Sequence, residues 1–335
     1  LGQCPSLQHL LVGGCDIGDD GATSLGGALE QCSSLVSLAL NSNRILPAGA
    51  TSLARALAQC SSLKTLVLAD NDIRAEGATS LAEALRQCTS LSWLNLRDNN
   101  IGPAAAMHLP KLLGQCASLA TLDLGQNSLG DFGDVSFVPG LDDPGTWSSL
   151  VTLNLDNNDI SQGGSLSRFL LQCSSLVTLN LAGNGIGAEG ARGLASVLHH
   201  CPSLTMLNLR SNCIDDQGAR SLAGFLPQWH ALKTLDLDTN FIGHEGTRSL
   251  AQVLRQCTSL AKLKLGCNLF LRPFHYDMPL VETLRMIQAG ISDTLVVDGI
   301  DLFDFGDGAG ADVDSIERYL RAKEAAETQR ESLED

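Results

Sequence analysis

The sequence predicts an α/β solenoid, a ladder of about ten stacked units that each run strand, turn, helix. Three observations carry this reading. Leucines recur with a 28-residue period, two leucines per unit alternate with polar or small residues, and the stretch that follows them has apolar residues at helical spacing.

The leucines that open each unit are Leu7, Leu35, Leu63, Leu91, Leu119, Leu150, Leu176, Leu204, Leu232 and Leu260. Two steps depart from 28: 31 residues from Leu119 to Leu150, then 26 to Leu176. In the third unit, Leu63 to Ile73 reads L-x-x-L-x-L-x-x-N-x-I. Leu66 and Leu68 there mark a short half-buried strand, and Leu81, Ala82, Leu85 and Cys88 mark a helix. No unit buries its apolar face alone, so neighbours must stack. Asparagine closes the strand segment of every unit but the first, from Asn43 and Asn71 to Asn240 and Asn268; the first has Cys15. A buried amide at that place can bond the backbone of adjacent turns, which makes these asparagines structural.

Composition narrows the partners. The 335 residues are 44% hydrophobic, enough for a large core, and only 4% aromatic, so that core is aliphatic. A net charge of −15 argues against non-specific nucleic-acid binding and against an anionic membrane surface. It is compatible with a protein partner that has a basic surface, and acidity alone also serves solubility. No apolar run approaches the roughly 18 residues of a membrane-spanning helix. Leu1-Gly2-Gln3-Cys4 matches Leu113-Gly114-Gln115-Cys116, the end of a later unit, so the sequence is expected to start inside a unit of a longer chain.

The 11 cysteines invite a disulfide or metal reading, but their spacing opposes it. Cys4, Cys32, Cys60, Cys88 and Cys116 are 28 apart, as are Cys173 and Cys201, and Cys257 lies two periods further on. Trp147 and Trp229 fill the same slot in other units. A slot that accepts Trp is apolar, and a thiol packs there as a small hydrophobe. Reduced thiols imply an intracellular, cytoplasmic setting. There is no C-x-x-C pair, and in His199-His200-Cys201 adjacent side chains on a helix diverge, so no metal site is expected. No nucleotide-binding or hydrolase motif is present; Gly306, Gly308 and Gly310 lack a strand-to-helix context. No cofactor and no catalytic residue are expected.

From about Leu7 to Phe270 the L-x-x-L-x-L-x-x-N-x-I units resemble the ribonuclease-inhibitor-like class of leucine-rich repeats. That class includes ribonuclease inhibitor, the Ran GTPase-activating protein and the C-terminal sensor repeats of NOD-like receptors. The resemblance implies a horseshoe with parallel strands on the concave face and helices on the convex face. Ten strands at ~4.8 Å give an inner arc of roughly 45 Å. Repeats followed by an acidic tail are similar to the Ran activator in architecture, with no catalytic position carried over. Ribonuclease inhibitor often has Cys at the Asn slot, where this chain has it only at Cys15.

In such a horseshoe the residues between the strand leucines face the concave surface. The distinctive ones are Trp93, Arg97, Asp98, Asp123, Asp156, Met206, Arg210, Asp236 and Asp238, followed by Lys262 and Lys264. Trp and Arg are enriched at interface hot spots; the alternative is a solvated face whose charges serve solubility. The unit at 119–149 is irregular: Gly130 to Gly145 contains Pro139-Gly140 and Pro144-Gly145 in place of a regular helix. It reads either as a partner-contacting loop or as a tolerated insertion. Residues 1–270 thus form the solenoid. Residues 271–297 read as a C-terminal cap, with a helix from Pro279 to Gln288 and a last strand near Leu295-Val296-Val297.

Residues 298–335 are an acidic tail with a terminal helix. It holds 12 acidic and 4 basic residues, about half of the net charge. Asp301, Phe303, Asp304 and Phe305 lie in an acidic–hydrophobic alternation that suits docking, or simply solubilises the chain. The expected function is a non-enzymatic protein–protein interaction scaffold, or a subunit of a larger assembly. The resemblance offers a Ran-type GTPase activator or a NOD-like receptor sensor as alternatives.

Overall fold

The computed structural model describes residues 4–106, 108–130, 147–161, 164–269 and 296–298. Three-residue strands stand at the leucine pairs: β1 (His9–Leu11), β2 (Ser37–Ala39), β3 (Thr65–Val67), β4 (Trp93–Asn95), β5 (Thr121–Asp123), β6 (Thr152–Asn154), β7 (Thr178–Asn180), β8 (Met206–Asn208), β9 (Thr234–Asp236) and β10 (Lys262–Lys264). An eleventh, β11 (Val296–Asp298), adds to β10 in parallel, at the place where a last strand was expected. All eleven form one parallel sheet in sequence order. Register follows the repeat, so Leu38 of β2 sits opposite Leu66 of β3 and Leu66 opposite Leu94 of β4.

Described helices link the strands from β1 to β5 and from β6 to β10: α1 (Gly18–Leu29), α2 (Pro47–Leu57), α3 (Arg74–Leu85), α4 (Gly102–Ala106), α5 (Leu109–Leu113), α6 (Gly164–Leu170), α7 (Gly187–Val197), α8 (Asp216–Phe225) and α9 (His244–Val253). The fourth unit splits its helix. Pro110 has no N–H and its ring collides with the carbonyl four residues back, so α4 ends at Ala106 and α5 restarts with Pro110 in its first turn. Neighbouring helices pack closely through small residues. A Cβ on Gly77 of α3 would lie 2.8 Å from Ala50 Cβ and 3.3 Å from Pro47 Cα of α2.

The core fills the space between sheet and helices. The inward leucines of β2 to β10, Leu38 through Leu263, are each 2% exposed or less. Cys32, Cys60, Cys88, Cys116, Cys173 and Cys201 are buried among them, with Trp147 and Trp229 in the same slot. Cys4 is exposed because no described unit covers that end, and all 11 cysteines are free thiols. Burial pushes the Cys88 thiol up to about 12 and the Cys116 and Cys201 thiols to about 11. Gly114 makes room for the larger slot residue: a Cβ there would meet Trp147 Nε1 at 3.0 Å.

The asparagines form a continuous ladder. In the fifth unit, Asn127 Oδ1 accepts from the amides of Asn99 (3.0 Å) and Ile101 (3.3 Å) in the preceding unit. Its Nδ2 donates back to Leu96 O (2.8 Å), and within its own unit to Leu124 O and Gly125 O. Asn43, Asn158, Asn184, Asn212 and Asn240 repeat this two-way bonding to the unit before. Each amide thus satisfies backbone groups stranded where the chain leaves the sheet. Asn99 is the exception. The Asn71 amide turns to Asp98 O, and Asn99 Oδ1 is left buried without a donor.

Candidate functional site

The open face of the sheet, turned away from the helices, carries two register-aligned rows. One runs Thr65, Trp93, Thr121, Thr152, Thr178, Met206; the other runs Val67, Asn95, Asp123, Asn154, Asn180, Asn208. Trp93 (49% exposed) and Met206 (45%) therefore flank a floor of three threonines, roughly 19 Å apart across four strand spacings. Trp93 is the anchor residue that the sequence singled out, and its ring is available to solvent.

Arg97 is placed differently from a free hot-spot arginine. Its Nη1 and Nη2 donate to Asp156 Oδ1 (2.6 Å) and Oδ2 (3.0 Å), two strands away, and Nη1 lies 4.0 Å from Asp123 Oδ1. The guanidinium crosses β5 over Gly125, where a Cβ would lie 2.4 Å from Nη1 and 2.5 Å from Asp156 Oδ1. Glycine at this row position is what lets the pair form. The bond to Asp156 raises the Arg97 pKa. Burial pushes the Asp156 carboxyl up, but its bonds from Arg97, Asn157 and Asn154 outweigh that and hold it below its ordinary value.

A second network lies on β8 to β10. Lys264 Nζ donates to Asp236 Oδ2 at 2.7 Å, which raises the lysine, and Arg210 lies 3.6 Å from Asp238. Desolvation raises the Asp238 pKa, opposed by the Gly266 amide that donates to it at 2.7 Å. Asp156 and Asp236 are each only 6% exposed, so their charge is spent inside the protein. Asp98 sits in the left-handed turn one residue past Arg97 (φ 54°), on the rim and exposed rather than on the sheet face. Asp301, Phe303, Asp304 and Phe305, the helix expected at Pro279 to Gln288, and nearly all of the irregular stretch 131–146 lie outside the described residues.

Two features escaped the sequence reading. Leu11 is 70% exposed, a large apolar residue on the open face of β1. The signal was there: Leu11 fills a position that later units give to Ala, Val, Asn, Asp or Lys. Gly125 was the other, recognisable only once β4, β5 and β6 are aligned across the 31-residue step.

Other clusters do not assemble chemistry. The His199 and His200 rings are 3.8 Å apart, but His200 Nδ1 faces Val197 O at 3.2 Å and Cys201 is buried. Among the described residues no group of three or more His, Cys, Asp or Glu is placed to hold a metal. A crevice of about 80 Å³ beside Trp229 is well below the several hundred Å³ of a small-molecule site. No described helix is long and apolar enough to cross a membrane.

A family profile described as "Leucine Rich repeat" matches residues 3–26, 31–54, 59–82, 87–109, 172–195 and 200–223, each spanning one strand and most of the helix that follows it. The chain is a leucine-rich-repeat protein. No curated protein gives a significant sequence match. Among solved structures, the leucine-rich-repeat protein FLRT2, in an octameric complex with latrophilin 3 and Unc5D, aligns at 18% identity and TM-score 0.53, covering 88% of this chain and 84% of that one. TLR13, in a complex with single-stranded RNA, aligns at 19% identity and TM-score 0.50, covering 80% of this chain and 40% of its own. An internalin of Listeria monocytogenes aligns at 19% identity and TM-score 0.40, covering 79% and 82%. The similarities to FLRT2 and TLR13 establish the fold. Leucine-rich-repeat proteins as a class mediate contacts between proteins.

Proposed function

We propose that this leucine-rich-repeat chain is a non-enzymatic interaction scaffold, or a subunit of a larger assembly, that holds a protein partner on its concave face. One observation carries the reading: Trp93 and Met206 stand half-exposed at either side of the Thr121–Thr152–Thr178 floor, on a rigid parallel sheet. Large side chains held in solvent on an otherwise small-residue face are typical interface anchors. The ion-paired rows beside them, Arg97 with Asp156 and Lys264 with Asp236, supply fixed polar edges. FLRT2, of similar fold, is found in a complex of several proteins, which is in keeping with this role. The acidic tail, with Asp301, Phe303, Asp304 and Phe305, is proposed as a second contact for a basic surface. The stacked free thiols suit a reducing, intracellular compartment.

The test is co-purification of the tagged chain from its native cells. Thr152→Arg with Thr178→Arg places bulk and charge at the centre of the floor; Arg192→Glu changes the exposed helix side. The proposal expects a stoichiometric partner that survives Arg192→Glu and is lost with the threonine pair. Recovery that ignores the threonine pair, or no stoichiometric partner, overturns it.

A further inference from the structure

The first four strands differ from the rest of the concave face. Leu11, Ala39 and Val67 are register partners on β1, β2 and β3, and Trp93 stands on the adjoining β4. Leu11 at 70% and Trp93 at 49% are the two most exposed large apolar residues among those described. The neighbouring positions on β1 to β3, His9, Ser37 and Thr65 on one side and Gly13, Asn41 and Ala69 on the other, hold no Asp, Glu, Lys or Arg. At the C-terminal rim of this floor stand Asp70 and Asp98, both exposed in left-handed turns. Nearby acids are neutralised, Asp16 by Arg44 at 2.9 Å and Asp72 by Arg74 at 2.6 Å. No described cation forms an ion pair with Asp70 or Asp98, since the Arg97 guanidinium is taken by Asp156. The result is an apolar floor with two carboxylates outside any described ion pair along one edge.

Spacing selects the occupant. Strands lie ~4.8 Å apart, and one α-helical turn rises ~5.4 Å. A helix laid across the strands thus sets about one turn on each, and residues at i, i+4 and i+7 fall in turn over Leu11, Ala39 and Val67, with Trp93 in the adjacent row beside Thr65. We infer that β1 to β4 dock an amphipathic α-helix of the partner, its apolar stripe on the Leu11–Trp93 floor and Lys or Arg on the flank that faces Asp70 and Asp98. Charge complementarity favours a basic flank over an acidic one. This rests on the scaffold reading above and deepens it by naming the partner's chemistry.

The experiment uses the full chain and a synthetic helical peptide of about 18 residues built from Leu, Ala and Lys, with Leu at i, i+4, i+7 and i+11 and Lys on one flank. A twin carries Glu in place of Lys. Titration is followed by calorimetry and by tryptophan fluorescence, which reports Trp93 because Trp147 and Trp229 are buried. The Lys peptide is expected to bind, and the Glu twin to bind about tenfold more weakly. Leu11→Ser weakens the Lys peptide by about tenfold, and Asp70→Asn with Asp98→Asn removes the preference for Lys over Glu. All three are surface positions, and circular dichroism verifies that each variant folds. The inference is overturned if the Lys peptide does not bind, if both peptides bind alike, or if binding ignores these substitutions. If that happens while the native partner is still lost with Thr152→Arg and Thr178→Arg, the scaffold reading stands and the helix inference falls. If both fail, both are overturned.

Discussion

Asn127 and Asn99 occupy the same slot one repeat apart, yet their removal should cost very different amounts. Asn127→Ala takes away the acceptor of two buried amides, those of Asn99 and Ile101. The site is fully buried, so no water replaces that oxygen without rearrangement. Each orphaned amide costs about 1–3 kcal/mol, which puts the substitution at roughly 2–6 kcal/mol. Asn99→Ala removes donors to Leu68 O, Leu96 O and Arg97 O, but its own Oδ1 serves no amide, so no N–H is orphaned. The ladder therefore predicts that Asn127→Ala is the more destabilising by about 2 kcal/mol or more. Urea unfolding followed by far-UV circular dichroism measures both, and hydrogen exchange at Ile101 localises the damage, because solenoids can open repeat by repeat. Equal costs, or a larger one for Asn99→Ala, would refute the reasoning that the amides act by satisfying the backbone of the preceding unit.

Four further outcomes follow. Gly125→Ala drives a methyl into the Arg97–Asp156 pair and destabilises by about 1–3 kcal/mol, and in that background Asp156→Ala adds little further cost in thermal melts. Because Asp156 titrates below its ordinary value of 3.8 in the folded chain, its contribution is complete above that pH and fades as pH falls through the lowered value; the gap in melting temperature to Asp156→Asn should hold steady from neutral pH to about 5 and close in stronger acid. Asp238 is raised, so its ionisation opposes folding at neutral pH: Asp238→Asn should melt higher than the native chain at pH 7, with the gain vanishing in acid. A thiol reagent at pH 8 should modify exposed Cys4, Cys15, Cys213 and Cys267 quickly and spare the buried slot thiols until the chain is unfolded.

Much of the architecture was legible because it is periodic. A 28-residue step between leucines leaves a single register for the sheet, and the slot shared by Cys and Trp identified a core position rather than a ligand. The asparagines were readable for the same reason. What the sequence concealed lies where the period fails or where two repeats must be read together. Arg97 and Asp156 are 59 residues apart, and the 31-residue step between β5 and β6 hides that they flank a single glycine. Asp98 looked like a face residue beside Arg97, but a left-handed turn moves it to the rim. Leu11 stands exposed on the open face, because alternation, not residue type, decides which side of a strand faces the helices. No repeat pattern encodes the bare Asn99 oxygen.

The concave-face claim is tested most directly by site-specific photocrosslinking in native cells. A photoreactive residue replaces Thr152 at the centre of the floor or, in a separate chain, Ser196 on the helix side. The account predicts one discrete cross-linked species from position 152 and none from position 196. A discrete species from 196 with none from 152 would contradict it.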